Sequence, residues 1–478
     1  MQSKLLSNAV LNVGKTVLGI LFPLITYPYV SRILGVSNLG KYNFSYSVVS
    51  YFLLIAGLGI STYGIREGIR IRDDKEKFQK FVNEMFSINL ISTIISYMLM
   101  FVLLFFVPSM KNYRISIIIL SGEIIFTTLG VSWICNIYED FFAIAIRTIG
   151  MQVLSLVLTF LFIKSTADLY KYEVVLLISN SGANFVNFFY VRKKYCKFST
   201  TLKIEWRKHI KPIFIIFFTT IAITVYVSSD ITMLGFMTND FQVGLYATAA
   251  KIYTIIKNVL AAILLVMVPR FTIMFSKGGK TEVSEFFSNV FNILTLLMLP
   301  VCVGVFSLSE DIVLLISGQD YIDASQPLKI LSIAIAFSLY SHMYTQCVLV
   351  PIKEEKIVFR ATLISAVSNI VLNFILIPIW GISAAAFTTI IAELVTFLIT
   401  FYCSRKFVDL IGIGRNLSSV VLGCLCICII CHFCSRIPLL LPRVGCSIVG
   451  AAVAYFFVLF LMRNSVLFQW MRLFVKNK

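Results

Sequence analysis

The sequence predicts an all-α polytopic membrane protein of about fourteen transmembrane helices. Two observations lead there. Apolar residues make up 59% of the 478-residue chain and recur in long uninterrupted runs; about 20 such residues suffice for one crossing. Lys and Arg gather instead in the short segments between those runs, as in Arg66–Lys80 and Arg192–Lys211. No polar stretch is long enough to fold as a separate soluble domain.

The elements follow in order. From Met1-Gln2-Ser3-Lys4 the chain enters its first span, 7–30, with no small-residue cleavage site behind a short apolar core, so this helix is expected to be a signal anchor, not a removable leader. Span 38–63 closes before the basic segment 66–80, and 83–107 runs from there to Pro108. Spans 113–138 and 141–163 are parted by Glu139-Asp140, and 170–191 stops at Arg192-Lys193-Lys194. Pro212 precedes 213–237, and 242–269 reaches Pro269. Next come 286–308, then 326–350 after an acidic stretch, then 357–378 ending at Pro378 and 381–403 opening on Gly381. Pro438 and Pro442 separate 417–436 from 444–462.

The net charge of +18 could point to nucleic acid, but its cations sit in loops and read as topology signals. Segments 66–80 and 192–211 fall on one side, and the acidic segment 309–325, with Glu310, Asp311, Asp320 and Asp323 and no Lys or Arg, falls on the other. The bias persists to Arg472, Lys476 and Lys478. Both termini are therefore expected in the cytoplasm, with no nucleic-acid partner.

A weak internal repeat shapes the domain reading. Leu39-Gly40-Lys41-Tyr42 resembles Val243-Gly244-Leu245-Tyr246, and the preceding spans end alike at Leu34-Gly35 and Leu234-Gly235. Two pseudo-symmetric six-helix bundles are expected, 1–191 and 213–403, joined by a basic cytoplasmic linker at 192–212 and followed by a two-helix extension at 404–478.

Ionisable residues inside the spans mark the functional candidates, since a charge at membrane depth costs about 2.5–3.5 kcal/mol on insertion scales. The cations are Lys15, Lys251 and Lys257; the acids are Glu123, Asp230 and Glu393. Asn8, Asn12 and Lys15 share one helical face, as do Lys251, Thr254 and Asn258. Lys257 lies about 120° around the helix from Lys251, either facing another part of a cavity or pairing with an acid. Tyr226 and Asp230 share a face of their span. The cations are candidates for an anionic substrate; Asn8, Asn12, Tyr226 and Asn258 are candidates for polar contacts. For the three acids, ion coupling stands beside structural pairing.

Catalytic signals are poor. His209, His342 and His432 have no carboxylate or serine arrangement in sequence, and no P-loop or dinucleotide fingerprint is present. Cys431-His432-Phe433-Cys434 lacks the second ligand pair a zinc site needs. The reading is a non-enzyme with no metal and no cofactor.

Three segments carry a family resemblance. Trp133-Ile134-Cys135-Asn136-Ile137-Tyr138-Glu139-Asp140-Phe141 with Arg147, Gly244-Leu245-Tyr246-Ala247-Thr248-Ala249-Ala250-Lys251 after Ser229-Asp230, and Ile377-Pro378-Ile379-Trp380-Gly381 through Ala392-Glu393-Leu394 resemble, in order and spacing, the Wzx-type oligosaccharide flippases. That family belongs to the superfamily of multidrug and toxin extruders and the lipid II flippase. The resemblance implies a V-shaped pair of bundles around a central cavity. It also implies transfer of undecaprenyl-diphosphate-linked oligosaccharide from the inner to the outer leaflet, for capsule, O-antigen or another surface polysaccharide. Partners would be the lipid-linked substrate, membrane lipids, and glycan polymerase and chain-length machinery. In one departure, Ile231-Thr232 stand where the family often has a basic residue, which weakens an ion-pair role for Asp230. A multidrug antiporter is the alternative, and a membrane-embedded glycan polymerase or acyltransferase the weaker one.

The topology is open to test with reporter fusions. Fusions after Lys211 and Lys478 should both report cytoplasm and one after Asp323 the exterior; an exterior signal at Lys478 would overturn the C-terminal pair.

Overall fold

In the computed structural model, Gly19 and residues 22–277 and 279–469 are described. A first helix, α1, occupies 22–34. Then follow α2 (Val36–Gly57), α3 (Ile60–Ile71), α4 (Lys75–Phe106), α5 (Arg114–Thr128), α6 (Ser132–Ile137), α7 (Phe141–Phe162), α8 (Leu169–Lys194) and α9 (Trp206–Met237). Beyond these lie α10 (Asp240–Lys277), α11 (Lys280–Ser307), α12 (Ser309–Ser317), α13 (Ser325–Tyr344), α14 (Glu355–Trp380), α15 (Ile382–Ser404), α16 (Gly414–Cys434) and α17 (Leu440–Leu461). No strand occurs among the described residues. Thirteen helical stretches among them are long and apolar enough to cross a membrane. The first expected span, 7–30, lies mostly outside the described residues. The protein is an all-α, multi-pass membrane protein, as only internally hydrogen-bonded helices or closed barrels can satisfy the backbone in hydrocarbon.

Two expected spans are broken. The run 38–63 becomes α2 and α3 because Gly57-Leu58-Gly59 turns the chain, with φ of 46° at Leu58 and 74° at Gly59. The run 113–138 becomes α5 and α6. Ring-to-glycine packing holds the two short helices together: the Trp133 ring lies where a Cβ on Gly64 would come within 2.8 Å of it, and Ile137 fills the space over Gly68.

The chain divides into two compact units, residues 1–244 and 245–478. Within the first, the starts of α2 and α10 cross with their backbones in contact. A Cβ on Gly40 would overlap the Asp240 carbonyl, and one on Gly244 would overlap the Val36 carbonyl. Each glycine thus meets the carbonyl four residues before the other, so the two ends of the sequence repeat pack as a reciprocal pair. Close approach over glycine is the usual route to helix association where lipid supplies no hydrophobic drive.

A second device recurs after α8 and after α15. Segment 196–205 lies extended along α4. The Lys197 amide donates to Gln79 Oε1 (3.1 Å), the Ser199 amide to Asn83 Oδ1 (3.1 Å) and the Thr201 amide to Ser87 Oγ (2.8 Å). In the second unit the Asp409 and Ile411 amides donate to Ser284 and Ser288 Oγ on α11 (3.0 and 2.9 Å). Polar side chains every fourth residue of a helix rise about 6 Å per step, close to two residues of extended chain, so the ladders match.

The glycine crossing yields a stability test. Gly40→Ala and Gly244→Ala should each lower the thermal midpoint of the purified protein. Gly150→Ala, whose Cβ would meet nothing within 4 Å, should leave it unchanged or raise it slightly, a helical alanine being worth about 0.5–1 kcal/mol over glycine. Equal midpoints for all three would show that the crossing tolerates a methyl group.

Candidate functional site

On α10, the helical period puts Lys251, Thr254 and Asn258 on one face, and all three are exposed. Lys251 makes no ion pair among the described residues. One and a half turns on, Lys257 points elsewhere. Its Nζ lies 3.6 Å from Glu393 Oε1 on α15 and 4.9 Å from the Tyr253 ring centre, while Tyr253 Oη donates to the same carboxylate oxygen at 3.0 Å. The side chain of Glu393 is 7% exposed. The His342 ring of α13 lies within electrostatic reach of both charges. The pair neutralises its two members, which makes burial tolerable in a low-dielectric site. Of the two described candidate cations, Lys251 keeps an uncompensated charge.

In the first unit, Asp230 is buried on α9. Its neighbours on that helix join α2: Ser50 donates to Ser228 Oγ at 3.2 Å, and Thr232 donates to Ser47 Oγ at 3.0 Å. Tyr226 is half-buried one turn earlier, and Glu123 is half-buried on α5. Asn8, Asn12 and Lys15 lie outside the described residues.

Several polar groups escape the sequence reading. His209, in the basic segment, is 1% exposed. Its Nε2 is 2.7 Å from Glu84 Oε2 and its Nδ1 is 2.8 Å from Tyr63 Oη, which bolts the start of α9 to α3 and α4. Between α6 and α7, Asp140 Oδ2 accepts from Tyr190 Oη (2.6 Å), Lys194 Nζ (2.8 Å) and Tyr195 Oη (2.8 Å). Burial opposes its charge, but these donors outweigh burial and hold the carboxyl down at about 2. Arg147 stacks 4.0 Å from the Tyr190 ring centre. Glu173 on α8 is fully buried beside Ser116, and among the described residues neither carboxyl oxygen makes a well-formed hydrogen bond.

An apolar cavity of 440 Å³ opens among α11, α12, α16 and α17, lined by Leu297, Pro300, Val301, Ile448, Ala452 and Phe456 among others. Groups with such lining hold hydrocarbon better than sugar.

Known proteins bear on this arrangement. The model of a family described as polysaccharide biosynthesis protein matches residues 5–275. A putative O-antigen transporter of Shigella dysenteriae is 24% identical over 373 residues, which is 76% of this chain and 90% of the relative. Among solved structures, the lipid II flippase MurJ in an inward closed conformation aligns with a TM-score of 0.74 at 18% identity, over 96% of this chain and 100% of that one. An inward-facing multidrug resistance MATE family transporter of the MOP superfamily aligns at 0.62 and 14% identity, over 83% of this chain and 97% of that one. The relatives and structural neighbours are transporters and flippases, not catalysts.

The Lys257–Glu393 pair yields its own test. Lys257→Ala strands a buried carboxylate and should lower the thermal midpoint, at a cost of about 2 kcal/mol given that lysine's partial exposure. Lys257→Ala with Glu393→Gln should recover most of the loss. A double variant no more stable than the single one would show that the two charges do not act as a pair.

Proposed function

The chain belongs to the family of polysaccharide biosynthesis proteins, and from that membership we propose that it turns a polyprenyl-diphosphate-linked oligosaccharide from the inner to the outer leaflet of the bacterial cytoplasmic membrane. In coarse terms it is a membrane flippase of polysaccharide precursors, of the Wzx type. The finer reading rests on one observation above all: among the described residues Lys251 has no ion-pair partner, on an exposed polar face with Thr254 and Asn258, while the charge of Lys257 is cancelled by Glu393. A diphosphate is the anion such a cation suits, since charge-assisted contacts to phosphate are short and strong. Thr254 and Asn258 offer hydrogen bonds to the first sugar. Lys15, Asn8 and Asn12 of the first span are further candidates for contact with the same substrate, and the apolar cavity beside α16 and α17 offers shelter to part of the prenyl chain.

The cationic drug reading meets a difficulty at the same residue, because an amphipathic cation gains nothing from an unpaired lysine. The two bundles, 1–191 and 213–403, are the halves that exchange access to the two leaflets, with 192–212 joining them and 404–478 added. Both termini stay cytoplasmic. Glycan polymerase and chain-length machinery would take over the product on the far side.

Complementation of a deletion strain at matched expression tests this. A hydrogen bond to a charged group is worth about 1.5–3 kcal/mol, so Lys251→Ala should reduce delivery of surface glycan on the order of tenfold or more, with lipid-linked repeat units accumulating on the cytoplasmic face. Lys251→Arg should retain most activity, and Lys277→Ala, at the solvated end of α10, should match the parent. Equal glycan from the two alanine variants would remove Lys251 from the substrate path.

A further inference from the structure

Three parallel helices of the first unit, α2, α5 and α8, pack on one another and turn a file of titratable side chains inward. At the end near the 164–168 turn stands Glu173 of α8. It is 0% exposed, and among the described residues it forms no ion pair and neither oxygen makes a well-formed hydrogen bond, with Lys41 within electrostatic reach. Ser116 of α5 lies beside it, equally enclosed, with its hydroxyl close to the carboxyl. About seven residues deeper on the same two helices, Glu123 lies beside Ser181. The two levels are thus about 11 Å apart at 1.5 Å per residue.

Tyrosines fill that interval. The Tyr42 ring of α2 is 5.5 Å from the Tyr172 ring and 5.9 Å from Tyr46, one turn deeper. Tyr42 is within electrostatic reach of both glutamates, and Tyr46 of Glu123. Other charged or titratable groups near the file are Lys41, whose Nζ is 3.4 Å from Tyr170 Oη, Asp168 paired with Lys171 at 2.7 Å, and Tyr27 beside Tyr172, all at its mouth, and Tyr97 of α4 at the deep end, whose Oη donates to the Ser121 carbonyl at 2.6 Å. On α7, which packs against α8, Arg147 is the ionisable residue, and it lies at the opposite end.

A carboxylate held away from water, with a serine hydroxyl beside it and Lys41 in electrostatic reach but not in contact, is under-compensated, so the cheap resolution is to bind a proton. Chains of Asp, Glu and His inside spans are the usual form of a proton relay, and a tyrosine hydroxyl can extend one because it both donates and accepts. We infer that Glu173 and Glu123 are two stations of a proton path through the first unit, bridged by Tyr42 and Tyr46. A proton from water is taken by the Glu173 carboxylate. Tyr42 accepts it as its own hydroxyl proton passes to Tyr46, whose proton passes to Glu123. Glu173 is then a carboxylate again, and half-buried Glu123 releases the proton. The transport this would drive is the flipping proposed above, but the path itself is tested without any substrate.

The test is infrared titration of the purified full chain in lipid, with no lipid-linked sugar added. The expected result is a protonated-carboxyl band that disappears on raising pH, is lost in Glu173→Gln and is altered in Glu123→Gln. Tyr42→Phe should keep the band and slow its exchange with deuterium. A band untouched by Glu173→Gln, or one displaced by sodium at fixed pH, overturns the site. Thermal midpoints of the Gln variants at or above that of the parent exclude misfolding, since Gln removes only a buried acid. If the band behaves as expected yet the chain moves no lipid-linked sugar, the proton path stands and the flippase reading falls.

Discussion

The membrane interior offers no partner to a polar group, and the described fold is largely a set of answers to that constraint. Lys257 is answered by Glu393 and Tyr253, and His209 by Glu84 and Tyr63. Asp140 is answered by three donors at once. Against that background the exceptions carry meaning. Lys251 has its charge uncancelled on an exposed face, and Glu173 is sealed in with unmatched oxygens. In the reading proposed above, the first meets an anion and the second a proton.

Close packing without a hydrophobic drive needs a different device, and the chain uses it at both starts of its repeat. Gly40 and Gly244 let the α2 and α10 backbones touch carbonyl to Cα. The extended segments after α8 and α15 repeat a second device, lying along α4 and α11 through hydroxyl and amide side chains set four residues apart. Segment 196–205 is therefore fastened to the first unit by its own amides, and His209 completes the attachment. The two halves of the sequence share local solutions even where their residues differ.

The spans were legible in sequence because lipid enforces long apolar runs, and Gly40 and Gly244 stood out as matching positions where a backbone contact tolerates nothing larger. Helical period also placed Lys251, Thr254 and Asn258 on one face. What stayed hidden was which helix faces which. Glu393 is 136 residues from Lys257 and Glu84 is 125 residues from His209, so neither partner can be read from spacing. His209 sits in sequence among cations, which disguises its buried acidic partner. Glu173 lies near the start of its span, where a carboxylate ordinarily reads as solvated. The breaks at 57–59 and 129–131 leave the hydrophobic run intact, so composition does not reveal them.

Movement of a polyprenyl-diphosphate-linked oligosaccharide across vesicles containing the purified chain tests the central claim most directly. With the labelled lipid loaded in one leaflet and its sugar probed by a membrane-impermeant lectin, the account predicts exposure in the opposite leaflet far faster than in empty vesicles. It also predicts that the parent outpaces Lys251→Ala, and that a neutral lipid-linked sugar of the same size moves poorly. Exposure no faster than in empty vesicles, or equal movement of the charged and neutral lipids, would contradict it.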